Sequence, residues 1–311
     1  MKNIFLIVVL VLTGLMADLP ACSRARTAWA AEKAPLNRVV SLGPLITDMI
    51  YQLGADHHLA GVTSYCNIPS GKENKPVIGT VIQINVEEIV RLQPDAVFAS
   101  TLTRVKQIQA LKGQGIQVIR FDNPTSFDTL CDMFLDLGIL MGKQQAAQEI
   151  IQTAAARVNL IRETAQTLKK RTVFIQIGIK PLKTAEQGTF ISSYIELAGG
   201  RNIAGHSGSG IFSREYVLKE NPEVIFVATM GTSTKAGEAE KASWKNFSAL
   251  TAVKNNEVHV LAHDSVFSPT PLTFAQTLML FFSHIHPDAA ENLMSGHLPP
   301  DVRPHTSGGG S

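Results

Sequence analysis

One stretch of the sequence occurs twice, at residues 85–98 and again at residues 213–226. Each copy begins with a helix-capping residue, Asn85 or Ser213, has a glutamate two positions later and reaches a proline nine positions after the cap. An acidic residue and an apolar run follow the proline. This pattern predicts a short capped helix, a proline stop and a buried strand, with Glu88 placed to close a capping box in the first copy. The chain is therefore built from two related halves.

The segments around each copy extend the duplication. Strand-like runs begin upstream at Arg38 and Thr172 and downstream at Ile116 and Glu257. Between each upstream strand and the repeat lies a predicted helix, at residues 45–53 or 190–198, followed by a glycine suited to a left-handed C-terminal position. Each half therefore has a β-α-β-α-β order, which predicts an α/β fold of two Rossmann-like β-α-β lobes.

Two helices are predicted between the lobes. The first covers Phe127–Leu140, with Ser126 as its cap, and the second covers residues 143–170, which contain no proline or glycine. A continuous helix of that length would span about 42 Å, long enough to join the two lobes as a rigid strut. The predicted organisation is a signal peptide at 1–30, an N-terminal lobe at 36–125, a helical connector at 126–170, a C-terminal lobe at 171–290 and a disordered tail at 295–311.

The N-terminus has the features of an export signal. Lys2 precedes the apolar run Ile4–Met16, which is shorter than the roughly 20 residues that span a bilayer. Cleavage after Ala30 would give a soluble periplasmic protein, which we favour. Lipidation of Cys22, in the sequence Leu-Pro-Ala-Cys, would instead anchor the chain to a membrane.

Composition excludes several classes of function. Without residues 1–30 the chain has equal numbers of basic and acidic residues, whereas nucleic-acid binding needs a concentrated basic face. The sequence has no G-x-S-x-G elbow, no P-loop and no G-x-G-x-x-G after a strand, so we expect no enzyme and no bound cofactor. No histidine-rich loop indicates a metal site. Cys66 and Cys131 are expected to remain two separate thiols.

Three further stretches, at residues 38–44, 61–69 and 199–203, together with the paired Glu-Pro-acid units, resemble the periplasmic substrate-binding proteins of ABC importers. The resemblance is to the cobalamin- and ferric-siderophore-binding family, and most closely to its cobalamin-binding branch. It implies a periplasmic monomer that captures a metal chelate between its lobes and delivers it to a dimeric membrane permease. A corrinoid is favoured as ligand, with a ferric siderophore or haem as alternatives. A ligand-sensing co-receptor domain and an enzyme are more distant alternatives.

The resemblance also assigns docking residues. Glu87 and Glu215 correspond to the glutamates with which the cobalamin-binding branch contacts its permease. Both lie in the first turn of a predicted helix, where a carboxylate is stabilised by the helix dipole, so a purely structural role is the alternative.

Ligand contacts are predicted in the loops at the carboxyl ends of the strands, where ligands of two-lobed α/β proteins bind. The predicted ligand-binding residues are Ser41, Leu42, Tyr65, Cys66, Asn67, Ile177, Lys180 and Asp264. The tryptophans of the cobalamin pocket are absent, since Val81, Ser100 and about Ser209 stand in their places, and Ile177 replaces a phenylalanine. The docking positions thus match this branch better than the pocket does. Lys183 and Arg214 are expected as charges at the mouth of the second lobe.

Overall fold

The computed structural model describes residues 35–205, 208–229, 234–262 and 266–297. Two parallel sheets with flanking helices form lobe 1 (residues 36–125) and lobe 2 (residues 171–290), as the duplication predicts.

The sheet of lobe 1 has four parallel strands in the order β2-β1-β3-β4. Its strands are β1 (Val39–Ser41), β2 (Leu59–Val62), β3 (Ala96–Ala99) and β4 (Val118–Arg120). Its helices are α1 (Pro44–Gln52), α2 (Val86–Arg91) and α3 (Val105–Gly113). Strand β2 is an addition to the predicted order, and it pairs with the outer edge of β1.

Lobe 2 repeats this arrangement and adds a hairpin. Its strands are β5 (Arg171–Gly178), β6 (Lys183–Thr184), β7 (Gly200–Asn202), β8 (Val224–Val227) and β9 (Val258–Val260). Its helices are α6 (Phe190–Leu197), α7 (Arg214–Glu220), α8 (Thr234–Lys245), α9 (Thr251–Lys254), α10 (Pro271–Ile285) and α11 (Pro287–His297). Strands β7-β5-β8-β9 are parallel, while β6 runs antiparallel beside the carboxyl half of β5.

The repeated sequence forms the same local structure in both lobes. The side chain of Asn85 accepts a hydrogen bond from a backbone N–H of α2, and that of Ser213 does the same for α7. Before the two prolines, Gln93 and Asn221 adopt left-handed backbones with φ of 45° and 47°. The duplication therefore extends to backbone conformation.

The predicted capping box of the first copy does not form. The N–H of Asn85 donates to the carbonyl of Ile78 at 2.8 Å, so it is not available to Glu88. The Glu88 carboxylate instead lies 3.3 Å from the Arg91 guanidinium, one turn along the helix.

The acidic residue after each proline fixes the start of the lobe's first strand. The Asp95 carboxylate accepts hydrogen bonds from the backbone N–H groups of Asn37 and Arg38, both at 2.8 Å. The Glu223 carboxylate accepts one from the N–H of Thr172 at 2.9 Å. These acids thus have a structural role that the sequence pattern alone does not reveal.

The connector consists of α4 (Phe127–Leu140) and α5 (Gln144–Gln166). Helix α4 has its predicted limits and begins with a capping box between Ser126 and Thr129. Helix α5 has 23 residues, about 35 Å, and is shorter than predicted. It ends early because the N–H groups of Thr167 and Leu168 bind carbonyls three residues back, which tightens and closes the last turn.

One apolar core runs through both lobes and the connector. It includes Phe98 of lobe 1, Phe134 of α4 and Phe226 of lobe 2. Helix α5 buries a face of small residues against it, and α10 packs along α5. The two lobes therefore share their interior.

Candidate functional site

A cavity of about 480 Å³ lies between the lobes, at the carboxyl ends of β1, β3 and β4. Lobe 1 contributes residues that follow these strands, and lobe 2 contributes the start of α6 and the segment before α10. α4 contributes one residue. The lining residues are Gly43, Pro44, Leu45, Ile46, Ser100, Leu102, Phe121, Asp122, Asn123, Pro124, Met133, Phe190, Ile191, Phe267, Ser268 and Pro269.

The walls are apolar on two sides and polar at one edge. Phenylalanine rings come from both lobes, with Phe121 on one side and Phe190 and Phe267 on the other. At the polar edge, the Thr101 hydroxyl donates a hydrogen bond of 3.1 Å to Oδ1 of Asn123, which orients the amide. None of the described lining residues is basic, and none is a histidine or tyrosine. Asp122, which lies 3.5 Å from Arg120, is the one charged residue among the described lining residues, so the site suits a ligand with apolar faces and hydrogen-bonding groups that are not anionic.

Ser41 and Leu42 lie beside this cavity but do not line it, because both side chains are fully buried. The Ser41 hydroxyl donates to the carbonyl of Gly43 at 3.2 Å and accepts a hydrogen bond from Thr47 at 2.9 Å. Leu42 packs in a second apolar cluster of lobe 1, which is separate from the shared core. The residues directly after them, Gly43 to Ile46, occupy the predicted position at the cavity.

The loop after β2 contains three predicted contacts. Tyr65 is 61% exposed, and Asn67 is also exposed. Cys66 points inward, with its Sγ 3.1 Å from the Thr47 hydroxyl and 3.2 Å from that of Thr63. Only Tyr65 and Asn67 thus present their side chains openly to solvent.

Both cysteines of the described residues are free thiols. Burial raises the pKa of Cys131 to about 12, with nearby carboxylates adding to the shift, so this thiol is unreactive at neutral pH.

Lobe 2 contains the remaining predicted contacts. Ile177 is half-buried against the shared core, and Lys180 is exposed in the turn between β5 and β6. Asp264 lies outside the described residues. Of the predicted rim charges, Lys183 is exposed, but Arg214 points inward and pairs with Glu240 at 2.8 Å. The expectation of a solvated charge at Arg214 is wrong.

The three residues that stand at the positions of the missing tryptophans have different surroundings. Val81 is buried, Ser100 lines the cavity and Ser209 is exposed. Trp244 does not fill their place, since it is fully buried in lobe 2.

Glu87 and Glu215 occupy the first turns of α2 and α7, and both are exposed. Hydrogen bonds from its own backbone N–H and from the Ser213 hydroxyl hold the pKa of Glu215 below its usual value. Its carboxylate is therefore ionised at neutral pH and free to meet a cation on a partner.

Sequence reasoning missed Phe190, Phe267 and Asn123 as lining residues. Phe190 is the first residue of a helix that faces the opposite lobe, and Asn123 follows the end of β4. The sequence signal available for these lining residues is an aromatic or amide residue directly beyond a strand or at the start of a helix.

A second cavity of about 490 Å³ lies among α4, α5 and α6. It contains charges of both signs, including Asp128, Arg162, Lys170 and Glu196, and it shares no lining residue with the interlobe cavity. It is thus separate from the interlobe cavity.

The described residues contain neither a metal-binding cluster nor a membrane-spanning helix. In the part of the chain that the structure describes, no group of three His, Cys, Asp or Glu side chains could hold a metal ion. No helix within the same ranges is long and apolar enough to cross a membrane.

The family model described as periplasmic binding protein matches residues 39–264. This match covers most of the chain, which therefore belongs to the periplasmic binding protein family, a class that acts outside the cytoplasmic membrane.

Among its relatives is the vitamin B12-binding protein of Salmonella paratyphi A, 29% identical over 70% of this chain and 81% of that protein. Another is the uncharacterized ABC transporter substrate-binding lipoprotein YvrC of Bacillus subtilis, 28% identical over 75% of each chain. The vitamin B12-binding protein BtuF of Vibrio cholerae is a similar solved structure, with a TM-score of 0.69 and 25% identity over 83% of this chain and 98% of that chain.

The haem-binding protein HutB of Vibrio cholerae has the same fold, with a TM-score of 0.71 and 20% identity over 80% of this chain and 99% of that chain. These relatives are transport proteins that bind substrates, and the fold is common to binders of different chelates.

Proposed function

We propose that this protein is the substrate-binding component of an ABC importer, and that it captures a corrinoid such as cobalamin between its lobes for delivery to the permease. The observation that carries the ligand assignment is the interlobe cavity, with phenylalanine rings from both lobes and a polar edge that has no cation among the described lining residues. Relatives named for vitamin B12 binding support the same assignment.

The chemistry of the walls separates the candidate ligands. A corrinoid has apolar faces and a rim of neutral amides, which match aromatic rings and groups such as Ser100 and Asn123. Haem has two carboxylates and ferric catecholates are strongly anionic, so both need cations that the described lining residues do not supply. An uncharged ferric hydroxamate is the second candidate, because it avoids the same cost.

A binding panel tests the ligand. Equilibrium dialysis of the purified chain against cyanocobalamin, a neutral ferric hydroxamate and haemin should show tightest binding to cyanocobalamin. Tighter binding of haemin would contradict the proposal, and tighter binding of the hydroxamate would favour the second candidate.

A matched pair of variants tests the cavity. Asn123→Leu should weaken cyanocobalamin binding about 5- to 15-fold, because it removes one neutral hydrogen bond of about 1–1.5 kcal/mol. Asn159→Leu, in the second cavity, is the control and should leave binding unchanged. Equal effects of the two substitutions would contradict binding in the interlobe cavity.

We assign permease docking to Glu87 and Glu215. Both carboxylates are exposed, and the duplication relates them as a two-fold symmetric permease requires. Exposed ion pairs contribute only about 0.2–1 kcal/mol each, so these residues determine orientation and association rate more than affinity.

The double variant Glu87→Ala/Glu215→Ala should bind ligand normally and transport it poorly in reconstituted vesicles. The control is Glu88→Ala/Glu220→Ala, which removes two carboxylates from the same helices. Unchanged transport in the first pair, or equal loss in both, would refute the docking assignment.

A further inference from the structure

The interior behind α7 in lobe 2 contains polar groups at positions that are apolar in lobe 1. Strand register aligns the lobes, since Val39 lies beside Ala96 as Val173 lies beside Val224. Gln176 of lobe 2 therefore corresponds to Leu42 of lobe 1. By the same count from the helix caps, Arg214 corresponds to Val86.

Four side chains of lobe 2 form a connected group, which we call the Arg214 network. Nη2 of Arg214 and Nε2 of Gln176 each donate a 2.8 Å hydrogen bond to Oε2 of Glu240. Nε1 of Trp244 donates to Oε1 of Gln176 at 2.7 Å. The Arg214 guanidinium lies 4.3 Å above the Trp244 ring. Glu240 is only 13% exposed, so these partners replace much of the water around its carboxylate.

One end of the network lies at the β5–β6 turn and the other at the start of α7. Nε2 of Gln176 also donates to the carbonyl of Gly178 at 3.1 Å, where β5 leads into the turn that contains Lys180. At the other end, Arg214 is the first residue of α7, directly before Glu215. In lobe 1 the corresponding Leu42 belongs to an apolar cluster against which Val86 packs.

The two kinds of contact respond differently to displacement. Apolar contacts have no preferred direction, so a small rotation of one side chain breaks no specific bond. Charge-assisted hydrogen bonds are directional, and a buried carboxylate that loses a donor is strongly destabilised. A shift at the end of β5 therefore has to move Glu240 and Arg214 with it, or break the network.

We propose that Arg214 is a positioning residue that couples the β5–β6 turn to α7 through Gln176 and Glu240. A displacement of this turn then changes the presentation of Glu215 in lobe 2 and leaves that of Glu87 in lobe 1 unaffected. The functional meaning of this coupling rests on the proposed docking role, but the coupling itself can be tested without importer or natural ligand.

The first test measures amide hydrogen exchange of the full chain by mass spectrometry, which reports local opening. Arg214→Met and Gln176→Leu should each accelerate exchange of residues 216–220 at least 10-fold and leave residues 88–91 unchanged. Lys219→Met removes a charge from the exposed face of the same helix and should change neither segment. Unchanged exchange of α7 in both network variants would overturn the proposal. If Arg214→Met accelerates exchange throughout the chain, Arg214→Lys replaces it and should accelerate α7 alone.

The second test places a bulky group at the β5–β6 turn. In a Cys22→Ser/Cys66→Ser chain, Lys180→Cys is labelled with fluorescein maleimide, whose bulk displaces the turn. The label should change exchange of residues 216–220 at least 3-fold, and this response should vanish when Gln176→Leu is added. A response that persists with Gln176→Leu, that appears equally in α2, or that is missing in the labelled chain would each overturn the coupling.

These outcomes are independent of the ligand panel and the transport assay. A chain that binds no cyanocobalamin would refute the proposed ligand and leave the exchange results to decide the network.

Discussion

In both lobes an acidic residue, Asp95 or Glu223, accepts a hydrogen bond from the backbone N–H at the start of the first strand, yet the lobes differ inside, where Leu42 corresponds to Gln176. The retained features fix the backbone: a cap, a left-handed residue before proline and an acid that holds a strand end. The divergent features are side chains beneath that backbone. The two halves thus repeat one fold, while equivalent positions have side chains with different roles.

The largest expected effect tests whether the two lobes depend equally on their cores. Phe98 and Phe226 occupy equivalent strand positions, and both are fully buried in the shared core. Phe98→Ala and Phe226→Ala should each lower the free energy of unfolding by about 3–5 kcal/mol in urea titrations. The exposed Val105→Ala is the control, with an effect below about 0.5 kcal/mol. Separate unfolding transitions for the two lobes would contradict a shared interior.

The next effect on stability should arise from the histidines of lobe 2. Burial, with a smaller contribution from His259, lowers the pKa of His284 to about 4. The rings of these histidines stack at 3.8 Å, and Glu257, Lys241 and Arg171 are the charged groups around them. The unfolded chain therefore binds a proton on His284 below pH 6.5 that the folded chain resists, so stability falls as the pH drops from 6.5 to 4.

His284→Leu should remove that part of the pH dependence, about 1–2 kcal/mol between pH 7 and pH 5 after allowance for partial exposure. Urea titrations at the two pH values measure it. His57→Leu is the control in lobe 1, where the imidazole is exposed. The explanation fails if His284→Leu retains the full pH dependence.

The strand-holding acids should give an unequal pair of effects of similar size. Asp95→Ala should cost about 1–2 kcal/mol, because two backbone donors lose a charged acceptor. Glu223→Ala should cost more, since Arg171 also loses a carboxylate at 3.7 Å. Thermal and urea unfolding measure both. Asp122→Ala, which breaks an exposed pair with Arg120, should change stability by less than about 0.5 kcal/mol. Equal costs for the two acids would show that Arg171 adds nothing.

The smallest effect concerns the helix caps and should be equal in both lobes. Asn85→Ala and Ser213→Ala should each lower the free energy of unfolding by about 1 kcal/mol. In the second variant the pKa of Glu215 should also rise toward its usual value, because the Ser213 hydroxyl no longer binds the carboxylate. Titration of Glu215 by NMR measures this shift, and an unchanged pKa would contradict it.

The sequence predicted the features that depend on neighbouring residues. Caps at Asn85, Ser126 and Ser213, and the limits of α4, follow from local hydrogen bonding, and the structure confirms them. The duplication also predicted the order of the main strands. The comparison of the halves missed β2, β6 and β7, because these strands lie outside the repeated segments that aligned the halves.

The candidate site was less predictable, because its geometry depends on contacts between distant residues. Whether Ser41 faces the cavity or the core depends on Thr47 and on how α1 packs. Arg214 looked like a rim charge because its partner Glu240 lies 26 positions further along the chain. No local pattern indicates such a pair, whereas the interlobe cavity follows from the topology.

The shared core also has a consequence for how a ligand would leave. Separating the lobes would expose the apolar contacts among α5, α10 and both sheets, which are continuous. A binding protein with such a continuous interior has little internal motion that could release its ligand, so spontaneous dissociation should be slow. In the proposed role, release of the ligand requires the importer to separate the rims of the two lobes at the expense of these apolar contacts.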